Sequence, residues 1–148
     1  MAGASSPSAQ GRAAAARGTV PAMEIARHAE LEPYVTADGS IIREWAGPGR
    51  VASARHQSLA EATVPPGRAT IAHYHVRAEE LYLFTAGRGR MRLGEEERAV
   101  AAGDCVAIPP GTVHKLWNDG DEDLVLVCAC APPYAHEDTV LVEDAADA

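Results

Sequence analysis

The sequence predicts an all-β domain, and three observations carry that expectation. Short strand-like runs recur at regular spacing, turn residues separate them, and helical periodicity is nearly absent across the 148 residues. Aromatic residues make up only 5%, with a single Phe, so a core must be filled by Val, Leu, Ile and Ala packed between sheets. Many short strands with Gly and Pro turns describe a sandwich or a small barrel.

The elements follow in order. Residues 22–31 allow one helical turn, although the Met23 and Ile25 alternation reads equally well as a strand. Asp38-Gly39-Ser40 turns the chain into a strand from Ile41 to Trp45, which Gly47-Pro48-Gly49 ends. Ser58 to Val64 forms the next strand and stops at Pro65-Pro66-Gly67. Thr70 to Val76, Glu80 to Thr85, Arg88 to Leu93, Arg98 to Val100 and Asp104 to Ile108 continue the series, and Val113 to Trp117 and Leu124 to Cys130 complete it. Gln57, Glu61 and Thr63 alternate with Ser58, Ala60 and Ala62, giving a polar face that suits either pocket or solvent. Arg88, Arg90 and Arg92 share one strand face and read as an outward row paired with Glu95, Glu96 and Glu97, with anion binding as the other reading.

A chain of this length fits one domain. Residues 1–22, mostly Ala, Gly, Ser and Pro, cannot bury enough apolar surface to offset their ordering entropy, so a flexible tail is expected there. The domain is expected over residues 23–142, with a short acidic tail at 143–148. Twenty-one acids against 13 bases give a formal charge of -8, which repels a phosphate backbone and argues against nucleic acid as a partner. The longest apolar run, Leu124 to Ala131, falls far short of the roughly 18 to 20 residues needed to span a bilayer, so no membrane partner is expected. Cys105, Cys128 and Cys130 form no disulfide pattern and read as small core residues in a reducing cytoplasm.

Chemistry gathers at the histidines. His73 and His75 lie two apart in a strand, so both imidazoles face one side, about 7 Å apart along the chain. Glu80 follows five residues later, where a short connection can return a carboxylate to the same pocket. A third imidazole, His114, comes after Pro109-Pro110-Gly111. Three imidazoles and one carboxylate suit a divalent transition metal: Fe, Mn, Ni, Cu, Co or Zn. Glu79 is the rival carboxylate but would sit out of phase on the strand. Tyr82 and Phe84 share the Glu80 face, Tyr82 as a possible phenol near the metal and Phe84 as a cavity wall, with two packed core rings as the alternative. Leu116 shares the His114 face and Trp117 the opposite one. Tyr134, His136 and Glu137 after Pro132-Pro133 read as exposed tail residues, or else as a flap over a barrel mouth. His28 and His56 have no partner by spacing and read as surface residues.

The spacing is more specific than the residue types. Gly67, His73, His75, Glu80 and Gly87 form one motif, and Gly103, Pro109, Gly111, His114 and Asn118 form a second after the short spacer 88–102. In both the sequence resembles the cupin superfamily, over roughly residues 34–142. The resemblance implies a double-stranded β-helix, a jelly-roll-like barrel, with a metal near its centre held by His73, His75, Glu80 and His114. Among the acids only Glu80 fits the motif's six-residue step to Gly87. The function expected is that of a metal-dependent enzyme acting on a small polar or anionic organic molecule, with Tyr82 and Glu80 as the catalytic candidates. Dioxygenase, isomerase, decarboxylase, lyase and cyclase chemistry all fit the resemblance, because a fold does not fix a reaction. The alternative is a non-catalytic module that binds or senses a metabolite and a metal. The resemblance further implies a homodimer. Asn118 reads as a turn cap.

Overall fold

The computed structural model describes residues 22–142. The expected tails at residues 1–21 and 143–148 lie outside the described residues. Twelve strands account for nearly all regular structure: β1 (Tyr34–Val35), β2 (Ile41–Gly47), β3 (Ala52–Ser53), β4 (Ser58–Val64), β5 (His73–His75) and β6 (Glu79–Ala86), followed by β7 (Arg88–Leu93), β8 (Glu96–Ala101), β9 (Cys105–Ile108), β10 (His114–Trp117), β11 (Leu124–Ala131) and β12 (Thr139–Leu141). The only helical pieces among these residues are single 3-10 turns at His28–Glu30 and His136–Asp138. None is long and apolar enough to cross a membrane.

The strands form two sheets. One runs β1-β2-β4-β11-β6-β9, with β3 joined to β2 in parallel; the other runs β12-β5-β10-β7-β8. All pairings but β2–β3 are antiparallel, and the two sheets make the double-stranded β-helix that the motifs imply. Period-two alternation explains which face closes on the core. Along β6, Glu80, Tyr82 and Phe84 are buried while Glu79, Leu81 and Leu83 are exposed; along β11, Leu124, Leu126, Cys128 and Cys130 are buried. Phe84, Met91, Val100, Ile108, Leu116, Leu124 and Leu126 pack into one apolar cluster. Phe84 belongs to that cluster and is not among the residues lining the central cavity, as the core-ring reading has it, whereas Tyr82 belongs to the cluster and lines the cavity as well.

β4 settles its own ambiguity. Ser58, Ala60, Ala62 and Val64 line the interior cavity, while Glu61 lies on the other face, where His28 Nε2 approaches its carboxylate at 2.6 Å. His28 is therefore at the surface as expected, yet paired. The arginine row behaves as the outward reading requires: Arg90 bonds Glu97 at 2.6 Å and Asp119 at 3.0 Å, and its guanidinium lies 4.4 Å over the Trp117 ring. Cys105 is exposed, contrary to the core role expected of it, because its side chain points outward from β9; Cys128 and Cys130 are buried.

Two turns fix how the barrel closes. Gly87, between β6 and β7, has φ +76, and a Cβ there would collide with the backbone of Asp123 and Leu124. Asn118 is buried and holds the β10–β11 turn: its amide donates to the Val64 and Glu122 carbonyls at 2.8 Å each, and its Oδ1 accepts from Gly120 N–H at 2.9 Å.

Candidate metal centre

The five-stranded sheet presents His73 and His75 from β5 and His114 from β10, where His114 stands directly opposite His73 in register. β6 of the other sheet brings in Glu80. The donor atoms of these four buried residues all lie within 4.8 Å of one another. Glu80 is 4% exposed whereas Glu79 is on the outside, so strand phase separates the two acids as the sequence suggests.

Hydrogen bonding selects the imidazole nitrogen that faces the centre. His73 Nδ1 donates to the Ile71 carbonyl at 2.9 Å and His114 Nδ1 to the Thr112 carbonyl at 3.0 Å. Carbonyls only accept, so each proton sits on Nδ1 and each Nε2 keeps its lone pair. Thr139 Oγ1 donates to the Ala135 carbonyl at 3.1 Å, which leaves the hydroxyl to accept from His75 Nδ1, also at 3.1 Å. Three Nε2 lone pairs are thereby aimed inward by oxygens behind them, the arrangement by which metal-binding histidines are oriented.

One of those nitrogens has nothing to bond. His114 is 1% exposed, and its Nε2 has no hydrogen-bond partner, the Glu80 carboxylate lying 3.6 Å away. A buried unpaired imidazole nitrogen is costly unless something else satisfies it. A cation does so, and the hard and borderline donors around it suit a divalent transition ion.

The carboxylate is held ionised. Burial would raise the Glu80 pKa, but the adjacent His114 and His75 imidazoles outweigh it and hold it at about 2. Cys130 Sγ donates to the other carboxylate oxygen at 3.2 Å. Burial lowers the His73 pKa, helped by the His114 ring, so its lone pair is available; for His75 the Glu80 carboxylate, 3.1 Å from Nε2, overcomes burial and raises it.

His73, His75 and Glu80 border a cavity of about 60 Å³, room for several waters. Tyr82 lines it, its ring 5.8 Å from that of His114, and burial pushes the phenol pKa well above its ordinary value, so the group can donate a hydrogen bond but cannot serve as a base. Tyr134 also lines it, 5.9 Å from the His75 ring, as the flap reading has it, whereas His136 and Glu137 are exposed. The reason is long-range. Asp138 accepts from Arg77 and Ala78 N–H at 3.1 and 3.0 Å, Tyr134 N–H bonds Ser58 Oγ at 2.9 Å, and β12 pairs with β5. Sequence spacing carries no sign of these partners, nor of Thr139 and Cys130 behind the ligands.

The Thr139 hydroxyl has a measurable consequence. Thr139→Val keeps the shape and removes the acceptor behind His75, so metal affinity is expected to fall by about 10 to 100-fold with the fold retained. Competition against a chelator of known affinity reads it, and an unchanged dissociation constant would remove Thr139 from the site.

Comparison with known proteins agrees with the architecture. The profile of the Cupin domain family matches residues 60–130. An uncharacterized protein of Methanocaldococcus jannaschii is 46% identical over 114 residues, 77% of this chain and 90% of that protein. Among solved structures, a Streptomyces nucleoside dehydratase superposes with TM-score 0.64 at 19% identity, covering 84% of this chain and 92% of its own. The Lactobacillus farciminis oxalate decarboxylase, as a formate complex, superposes with TM-score 0.66 at 21% identity over 77% of this chain and 34% of its own. Likeness at these identities speaks for the fold.

Proposed function

Because the chain belongs to the cupin superfamily, we propose that it is a metal-dependent enzyme acting on a small organic molecule, with His73, His75, Glu80 and His114 as the ligands of one divalent transition metal. The observation that carries the proposal is the unpartnered, fully enclosed His114 Nε2 at the meeting point of the other three donors. When bound, such an ion supplies Lewis acidity, a lowered pKa for a coordinated water and, if redox-active, electron transfer.

The chain's own residues do the rest. Glu80 offsets one of the ion's two charges, and Thr139 and the Ile71 and Thr112 carbonyls fix the imidazole tautomers. Tyr82 donates a hydrogen bond toward a ligand oxygen, and Tyr134 closes the mouth against water. The same proposal includes a homodimer: Leu59, Leu81 and Leu83 are exposed on the outer face of the seven-stranded sheet, where Leu81 and Leu59 flank Ala129 in register. Free thiols are in keeping with a reducing cytoplasm.

Elemental analysis of protein purified without added metal tests the reading; one transition ion per chain is expected, and a chain that neither carries nor takes up such an ion refutes it. A second reading, a binding or sensing module, draws on one observation. Tyr82, Cys128 and Cys130 are all kept protonated by burial, so none of them is a base. Saturable ligand binding without turnover across the candidate metals would favour it.

A further inference from the structure

The wall of the cavity beyond the four ligands is built from β1, β2 and the turn between them. Thr36, Asp38 and Ser40 line it, and Asp38 is 8% exposed. Its Oδ1 is pinned by three donors: the Thr36 hydroxyl at 2.5 Å, the Ser40 hydroxyl at 2.7 Å and Ser40 N–H at 3.1 Å. An oxygen that accepts three hydrogen bonds behaves as a carboxylate oxygen. Oδ2 takes none of these bonds and stands 3.9 Å from His73 Nδ1, whose proton is already given to Ile71. A fixed, buried carboxylate on the cavity wall thus keeps a free acceptor oxygen beside the His73 ring.

Charge bookkeeping decides what such a cavity takes. Among the described residues, no lysine or arginine lines it. Glu44, the other acid on the wall, is ion-paired with Arg50. A divalent ion with Glu80 leaves a single positive charge, which Asp38 cancels at short range in a medium of low dielectric. An anionic ligand would gain the ion and meet Asp38, with no cation on the wall to hold its second end. A neutral ligand that offers a lone pair to the ion and an N–H or O–H to Asp38 Oδ2 satisfies both ends.

We propose that Asp38 is a specificity-determining residue, and that the substrate class is a neutral, hydrogen-bond-donating molecule, such as a hydroxyl- or amide-bearing compound, in preference to a carboxylate. The assignment rests on the metal reading above and narrows the small polar or anionic substrate expected from the sequence to the neutral half of that class. A pinned carboxylate and three of the four donors of the cation site share the wall of one small cavity.

Glycolamide and glycolate make a matched pair of probes, equal in size and in their oxygen chelate but differing in charge and in the N–H donor. Calorimetric titration of the metal-loaded protein, its loading verified by elemental analysis, is expected to show glycolamide binding more tightly than glycolate. In Asp38→Asn the gap narrows by tenfold or more, with glycolate gaining. Glycolate binding as tightly as glycolamide to the unmodified protein overturns the assignment, and so does binding of neither probe or a gap that is unchanged in a folded Asp38→Asn. The comparison on the unmodified protein stands even if that variant does not fold. A chain that takes up no metal overturns the metal reading and this one together, whereas a loaded chain that prefers glycolate overturns the substrate class alone.

Discussion

His114→Ala is expected to abolish stoichiometric metal binding while leaving a folded barrel. Its Nε2 is buried without a hydrogen-bond partner, so removing it breaks no internal hydrogen bond at the centre beyond the Nδ1 contact to Thr112. The remaining His73, His75 and Glu80 lose one of four protein donors, a water must take its place, and affinity should drop by about a hundredfold. Stability moves less, because truncation of a buried ring leaves a void at the edge of an existing cavity, a cost of about 1 to 3 kcal/mol. Elemental analysis and a melting curve recorded with a chelator present separate the two effects. Wild-type metal content in the variant would place the ion elsewhere.

Gly87→Ala is expected to be strongly destabilising, and for a reason unrelated to the site. The residue sits at φ +76, where an L side chain is strained by about 1 to 3 kcal/mol, and the new Cβ would strike the Asp123 carbonyl and crowd Leu124 Cα at 3.0 Å. Both obstacles are backbone, so no rotamer change relieves them. A loss of about 3 kcal/mol or more follows, read as a lowered denaturant midpoint with an unchanged slope. A variant within 1 kcal/mol of wild type would mean that the β6–β7 turn can move.

Much of the site was legible because its determinants are local or repeat with a fixed spacing. His73 and His75 share a strand face, Glu80 is in phase where Glu79 is not, and His114 follows a Pro-Pro-Gly turn; each of these is a statement about a few consecutive residues. The alternation of β6 and β11 likewise declares which face is inward. What escaped was set by partners far along the chain. Thr139 meets His75 across 64 positions, Ser58 fixes Tyr134 across 76, and Asp138 holds residues 77 and 78 from 61 and 60 positions away. Asp38 hid differently, since Asp-Gly-Ser is ordinary turn chemistry and nothing local tells that its side chain lines an interior cavity. Phe84 shares its strand face with Glu80 yet belongs to the apolar cluster, because alternation tells the side of a strand but not the depth along the barrel.

The imidazoles all hang from one sheet and the carboxylate from the other. An ion gripped by the full set would therefore act as a rivet through both layers, and prying the layers apart would require expelling it. The melting temperature then becomes a gauge of the surrounding free ion: at a hundred times the dissociation constant, mass action alone adds about 2.7 kcal/mol to the folded state. Starvation for the ion would loosen the whole barrel as well as silence its centre, so supply and lifetime of this chain are tied to one equilibrium.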